Sequence, residues 1–173
     1  MSNAIENMLS RRSIRKYKQD PIPEEVLNKI LEAGIYAPTG MNKQAPVIIA
    51  VTNKEVRDRL SKMNAAIMGV DSDPFYGAPV VLVVLANKEV RTAVYDGSLV
   101  MGNLMLAAHE LGVGSCWIHR AREMFASEEG KAILKELGIE GDYEGVGNCI
   151  LGYADCPHPE ARPRKENYIY YIR

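Results

Sequence analysis

Residues 79–118, PVVLVVLANKEVRTAVYDGSLVMGNLMLAAHELGVGSCWI, decide the fold class of this chain. Pro79 to Ala86 is a valine-rich apolar run, the pattern of a core strand. Residues 89–111 read as one long helix, and Gly112 stands where a left-handed residue stops a helix. Val113 to Ile118 then resumes a strand. Upstream, residues 4–12 read as a short helix with an apolar stripe of Ile5, Met8 and Leu9, and Asn3 with Glu6 has capping-box spacing. Pro23 suits a first helical position, with Glu24 and Glu25 at the positive end of the helix dipole. Val26, Leu27, Ile30 and Leu31 are expected to form the buried face of that helix, which Ala37-Pro38 ends. Val47 to Val51 reads as a buried strand. Residues 54–68 read as a helix with Val56, Leu60, Met63 and Ile67 on one side. Downstream, residues 128–137 read as a helix ending at Gly138, and Val146 to Tyr153 as a strand. Strands alternating with helices predict a layered sheet–helix domain, and the alternation alone equally suits a doubly wound fold.

The 173 residues suit one domain with a real core, and 47% hydrophobic and 25% charged residues are ordinary for a globular chain. A net charge of −1 offers no global basic field, which argues against nucleic acid or an anionic membrane as partner. Cys116, Cys149 and Cys156 are an odd, unpaired set, which points to a reducing compartment. The N-terminus lacks the apolar run of a secretory signal, and the longest apolar run, Ala78 to Ala86, is too short to span a bilayer. A cytoplasmic protein is the expectation.

Familiar chemical motifs are missing. Gly145-Val-Gly147 followed by Gly152 misses the dinucleotide spacing, and Gly112-Val-Gly114 has no third glycine. His109-Glu110 has no second histidine four residues after the first, so it is not a zinc-protease helix. With no C-x-x-C pair and no nucleophile elbow, the hard chemistry of an enzyme built on this chain would belong to an organic cofactor.

Four segments could hold such a cofactor. Arg11-Arg12-Ser13-Ile14-Arg15-Lys16 offers guanidinium forks and a hydroxyl, what a phosphate dianion needs, although a solvated basic face reads the same way. Ala37 to Pro46, APTGMNKQAP, makes a stiff turn with exposed donors, or a plain connection. Gly112 to Arg120 sets glycines and the only tryptophan, Trp117, at a strand entry, which equally suits a core strand. Pro157 to Lys165 displays arginines on proline-rich backbone before an aromatic strand, Tyr168 to Ile172, and could be a linker alone.

Taken in order, RRSIRKY, APTGMNKQAP, DGSLVMGNLMLAAHELGVGSCWI and the late LGY with RPRK closely resemble the nitroreductase family of FMN enzymes over nearly the whole chain. The resemblance implies an α+β, three-layer fold with a mostly antiparallel central sheet flanked by helices. It implies one domain, residues 1–173, with residues 157–173 as an arm reaching the partner of a homodimer. It implies FMN contacts from Arg11, Arg12, Ser13 and Arg15, with Arg11 and Ser13 toward the phosphate and Arg15 toward the N1–C2 edge of the ring. Pro38, Thr39, Gly40 and Asn42 match the turn that meets the ring from the partner. Trp117, Ile118 and His119 match the strand end whose backbone lies near the ring's reactive edge, and Arg164 and Lys165 the basic pair that completes the phosphate site. No catalytic side chain and no metal is implied. NADH or NADPH would reduce the flavin, and a small electron-poor acceptor such as a nitroaromatic or quinone would reoxidise it. A specialised branch, a reductive dehalogenase or flavin-fragmenting enzyme, and a flavin carrier without turnover are the alternatives. Three departures stand out: Ala45-Pro46-Val47 where the family carries proline-tryptophan, a short stretch over residues 61–75, and the charged His119-Arg120 pair.

Overall fold

The computed structural model describes residues 4–173, so the expected Asn3 cap lies outside the described residues. The elements are α1 (Ala4–Ser10), α2 (Glu24–Ile35), β1 (Pro46–Val51), α3 (Lys54–Met68), β2 (Val80–Asn87), α4 (Ala93–Glu110), β3 (Gly114–Ile118), α5 (Ala121–Ala126), α6 (Glu128–Glu136) and β4 (Tyr143–Gly152). The strands form one sheet in the order β1-β2-β4-β3, and every pairing between them is antiparallel. That resolves the alternation in favour of an α+β fold and against a doubly wound one.

Burial on both faces explains the unbroken valine run. Val81, Val83 and Leu85 face a core shared with α3, α5 and α6, while Val80, Leu82 and Val84 face one shared with α2 and α4. Helix–sheet–helix layering follows from that strand. Asn53 caps α3 by accepting the Val56 N–H at 3.0 Å, and Gly69 ends it at φ +74°.

Several boundaries differ from the sequence expectation, each for a local reason. α1 stops at Ser10, whose hydroxyl donates to the Glu6 carbonyl, so Arg11 and Arg12 follow the helix rather than ending it. Pro23 is the cap of α2, its extended ψ of 141° placing it outside the helix. α4 starts at Ala93 because the Asn87 side chain accepts from the Glu89 N–H and holds residues 88–92 in turns. β4 begins at Tyr143, earlier than expected, and bulges opposite Val84 and Leu85. Gly145 and Gly147 flank that bulge, where a side chain would strike the Ala121 carbonyl or the Trp117 indole, so packing accounts for this glycine pair. On α3 Leu60 and Met63 are buried but Val56 and Ile67 are largely exposed. Tyr168 to Ile172 is not a strand here: residues 157–173 carry no regular structure and are exposed. Among the described residues no helix is long and apolar enough to cross a membrane.

Candidate cofactor site

The basic N-terminal segment lies along the open edge of β3. Ser13 bridges Ser115 in parallel register, Ile14 N–H donates to the Ser115 carbonyl at 2.9 Å, and Tyr17 bridges Ala154. Ile14 and Tyr17 fill the core. Arg15, next to buried Ile14, is left exposed. Tyr17 donates its hydroxyl to the Ile14 carbonyl, and burial holds its pKa above the ordinary phenol value. The segment is thereby a fixed rail rather than a loose tail.

The arginines on it differ in what they do. Arg12 Nη1 donates to the Leu9 and Arg11 carbonyls at 2.8 and 2.7 Å, closing the end of α1. Arg11 keeps a buried Nη1 with no acceptor among the described residues. A buried guanidinium nitrogen without a partner is costly, and a phosphate dianion is the natural group to satisfy it. Arg15 makes no hydrogen bond or ion pair among the described residues and lines a cavity of about 220 Å³. Its other walls are the strand end Trp117, Ile118, His119 and Arg120, and the α3 exit with Met68, Asp73 and Tyr76.

That strand end is held from behind. Fully buried Asn64 donates to the His119 carbonyl at 2.8 Å and accepts from Arg120 Nε at 2.9 Å. Asn148, also fully buried, reaches the Ile118 and His119 carbonyls at 3.4 Å. Arg120 itself takes a left-handed conformation, φ +75°, which turns the chain out of β3 into α5. The facing loop is fixed by Asp73, which accepts from Arg57, Ser61 and the N–H groups of Phe75 and Gly77. Burial alone would raise the Asp73 pKa, but these donors hold it below the ordinary carboxylate value. Asn64 was not singled out from the sequence, and Arg120 stood out only as part of a charged pair with His119, because nothing local distinguishes an asparagine on a helix that happens to face a strand end. The one available signal was the charged pair after Trp117-Ile118.

The turn from Pro38 to Asn42 lies elsewhere and lines no part of this cavity in the same chain. Gly40 N–H donates to Asp96 Oδ1 at 3.0 Å, and Thr92 donates to Asp96 Oδ2 at 2.8 Å, so the turn is tied to the start of α4. Thr39 Oγ1 accepts from the Gln44 N–H. Met41, Asn42 and Gln44 all sit at φ near +50°, a concentration of strain in a rigidly anchored, outward-facing turn. In the arm, Arg164 folds back onto the Arg162 carbonyl, and Lys165 sits 5.3 Å from the Tyr168 ring centroid.

Cys116 is buried in the cavity wall next to Trp117, while Cys149 lies in the core. Burial pushes the Cys149 thiol up to about 12, with Cys116 beside it. Among the described residues no cluster of metal-ligating side chains could hold an ion.

The Nitroreductase family model matches residues 8–153. A crystal structure of a nitroreductase with bound FMN from Bacteroides fragilis superposes with a TM-score of 0.90 and 28% identity, covering 100% of both chains. A Vibrio harveyi NADPH-flavin oxidoreductase is 29% identical over 180 residues, covering 98% of this chain and 72% of the relative. A relative from Methanothermobacter thermautotrophicus is 31% identical over 124 residues, and the match spans 66% of this chain and 60% of that protein.

Proposed function

The chain belongs to the nitroreductase family, and from that premise we propose that it is an FMN-dependent oxidoreductase drawing electrons from NADH or NADPH and passing them to small electron-poor acceptors such as nitroaromatics or quinones. The observation that carries this reading is the pairing of the unsatisfied buried Arg11 guanidinium with the Arg15 cavity, two cationic stations on one rail beside β3. Together they match an anionic tail and an electron-accepting ring. The residues present therefore fit FMN: Arg11 and Ser13 would hold the phosphate, and Arg15 and the strand end Trp117, Ile118 and His119 would flank the ring.

Bound there, the flavin supplies acceptance and release of a hydride. The protein's part is orientation and electrostatics. Arg15 stabilises negative charge that develops at its end of the cavity. Asn64 and Asn148 fix the peptide planes of the strand end, so its backbone dipoles need no reorganisation. Donor and acceptor would use the open face of the bound flavin in turn, a ping-pong order.

A volume of about 220 Å³ is small beside the roughly 300–1,000 Å³ of small-molecule sites, so a second wall is required. A homodimer would provide it, with the strained turn at Pro38, Thr39, Gly40 and Asn42 of one chain closing the site of the other. Exposed apolar side chains support that assembly: Ile5, Met8 and Leu9 on α1, Tyr36 after α2, and Tyr95 and Leu99 on α4. The arm would then carry Arg164 and Lys165 toward the phosphate and Tyr168 to Ile172 onto the partner. A cytoplasmic setting agrees with the unpaired cysteines. The test of turnover is NAD(P)H consumption by the FMN-loaded protein with 1,4-benzoquinone or nitrobenzene. Acceptor-dependent oxidation is expected, and flavin binding without any consumption would make the protein a carrier.

A further inference from the structure

The cavity wall contributed by Arg120 has a chemistry of its own. Its guanidinium is anchored at one nitrogen only, Nε to Asn64 Oδ1 at 2.9 Å. Its two terminal nitrogens make no hydrogen bond or ion pair among the described residues, yet the residue lines the cavity. Asn64 is fully buried and is itself held by the Met124 sulfur and the His119 carbonyl, so the fork is mounted on a rigid post. Exposed His119 adds a ring donor beside it. The one carboxylate in the lining, Asp73, is consumed by Arg57 and Ser61. The acceptor end of the cavity is therefore electropositive, with no uncommitted carboxylate in its lining among the described residues.

We infer that Arg120, mounted on Asn64, is a specificity-determining residue that selects electron acceptors bearing an anionic group, a carboxylate or sulfonate on an aromatic or quinoid ring. The inference rests on the functional reading above and goes beyond it in naming the acceptor class. Arg15 is committed to the flavin in that reading, which leaves the Arg120 fork as the cation for the second ring. A planar fork meets a carboxylate with two parallel hydrogen bonds, a geometry that a neutral amide or ester cannot reproduce.

The test compares benzoate with benzamide as non-reducible probes of the FMN-loaded protein, by calorimetric titration, in wild type and Arg120→Gln. Glutamine keeps an N–H for Asn64 but removes the charge and the fork. Benzoate should bind wild type roughly tenfold or more tighter than benzamide, and the substitution should erase most of that difference. The selectivity for 4-nitrobenzoate over methyl 4-nitrobenzoate, read as the ratio of kcat/KM, should fall in parallel. Equal binding of benzoate and benzamide to wild type overturns the inference. So does an Arg120→Gln protein with intact selectivity but slowed flavin reduction by NADH, which would place the anion on the electron donor. Protein that takes up no FMN fails the functional reading instead, and calorimetry still reads whether benzoate is preferred.

Discussion

At the residue scale, the cations beside β3 differ in how far the chain itself satisfies them. Arg12 closes α1 through Nη1, while its Nε and the Nη1 of Arg11 are both buried without an acceptor among the described residues. Arg11→Ala should weaken FMN binding by roughly 10- to 100-fold, the loss of a charge-assisted hydrogen bond of about 1.5–3 kcal/mol. Titration of apo-protein checks this, and unchanged affinity would remove Arg11 from the site. Arg15→Gln should instead lower the flavin midpoint potential, because a fixed cation favours the reduced form, while FMN affinity changes less than in Arg11→Ala. An equal or higher potential would show that Arg15 does not neighbour the flavin ring. His109 offers a pH test. Its ring stacks on His158 with centroids 5.6 Å apart, and its Nε2 lies 2.9 Å from Ser10 Oγ. Burial first, then His158, Arg11 and Arg12, hold its pKa below the ordinary value, with Glu110 opposing. Just below pH roughly 6.5 the unfolded chain then binds more protons than the folded one, so stability falls on acidification through that window. His109→Gln should flatten the slope of Tm between about pH 5 and pH 7, and an unchanged slope would assign it to another group.

At the element scale, the sequence was legible where local chemistry and burial agreed. The helix over 54–68 has an asparagine cap and a glycine stop, and β2 announces itself by composition. α5 was missed because six residues are too few to show a period, and β4 was cut short because its bulge breaks the pattern across Gly145 to Gly147. The RRSIRK segment was recognisable by residue type, but its position along β3 depends on a contact a hundred residues away. The loop after α3 was read only as short, yet it is the most heavily bonded wall of the cavity. Asp73→Asn should lower stability by on the order of 2 kcal/mol at neutral pH, since it weakens the bonds to Arg57 and Ser61 together. In the wild type that contribution is present above the unfolded aspartate pKa and is lost as pH falls through the lowered folded value. Thermal melts at pH 7 check the first statement, and a variant as stable as wild type would show that the loop does not depend on this carboxylate.

At the scale of the whole molecule, the Arg15 cavity at the end of β3 and the strained turn tied to α4 line no common pocket in one chain, and the proposed homodimer would bring them together. No property of a single sequence position proposes such a shared site; the expectation of a second copy came only from the family resemblance. The exposed stripe on α1 and the uncovered Tyr168 to Ile172 arm point the same way. Removing residues 168–173 should shift the assembly toward monomer on dilution and loosen FMN with it, because Arg164 and Lys165, though retained, would lose the anchor that holds them against the partner. Light scattering of the truncated protein checks this, and an undiminished dimer would free the arm from that role. Native mass spectrometry of the 173-residue protein after incubation with FMN tests the shared flavin site most directly. The predicted mass is two chains with two FMN molecules, and a single chain carrying FMN, or a dimer carrying none, would contradict it.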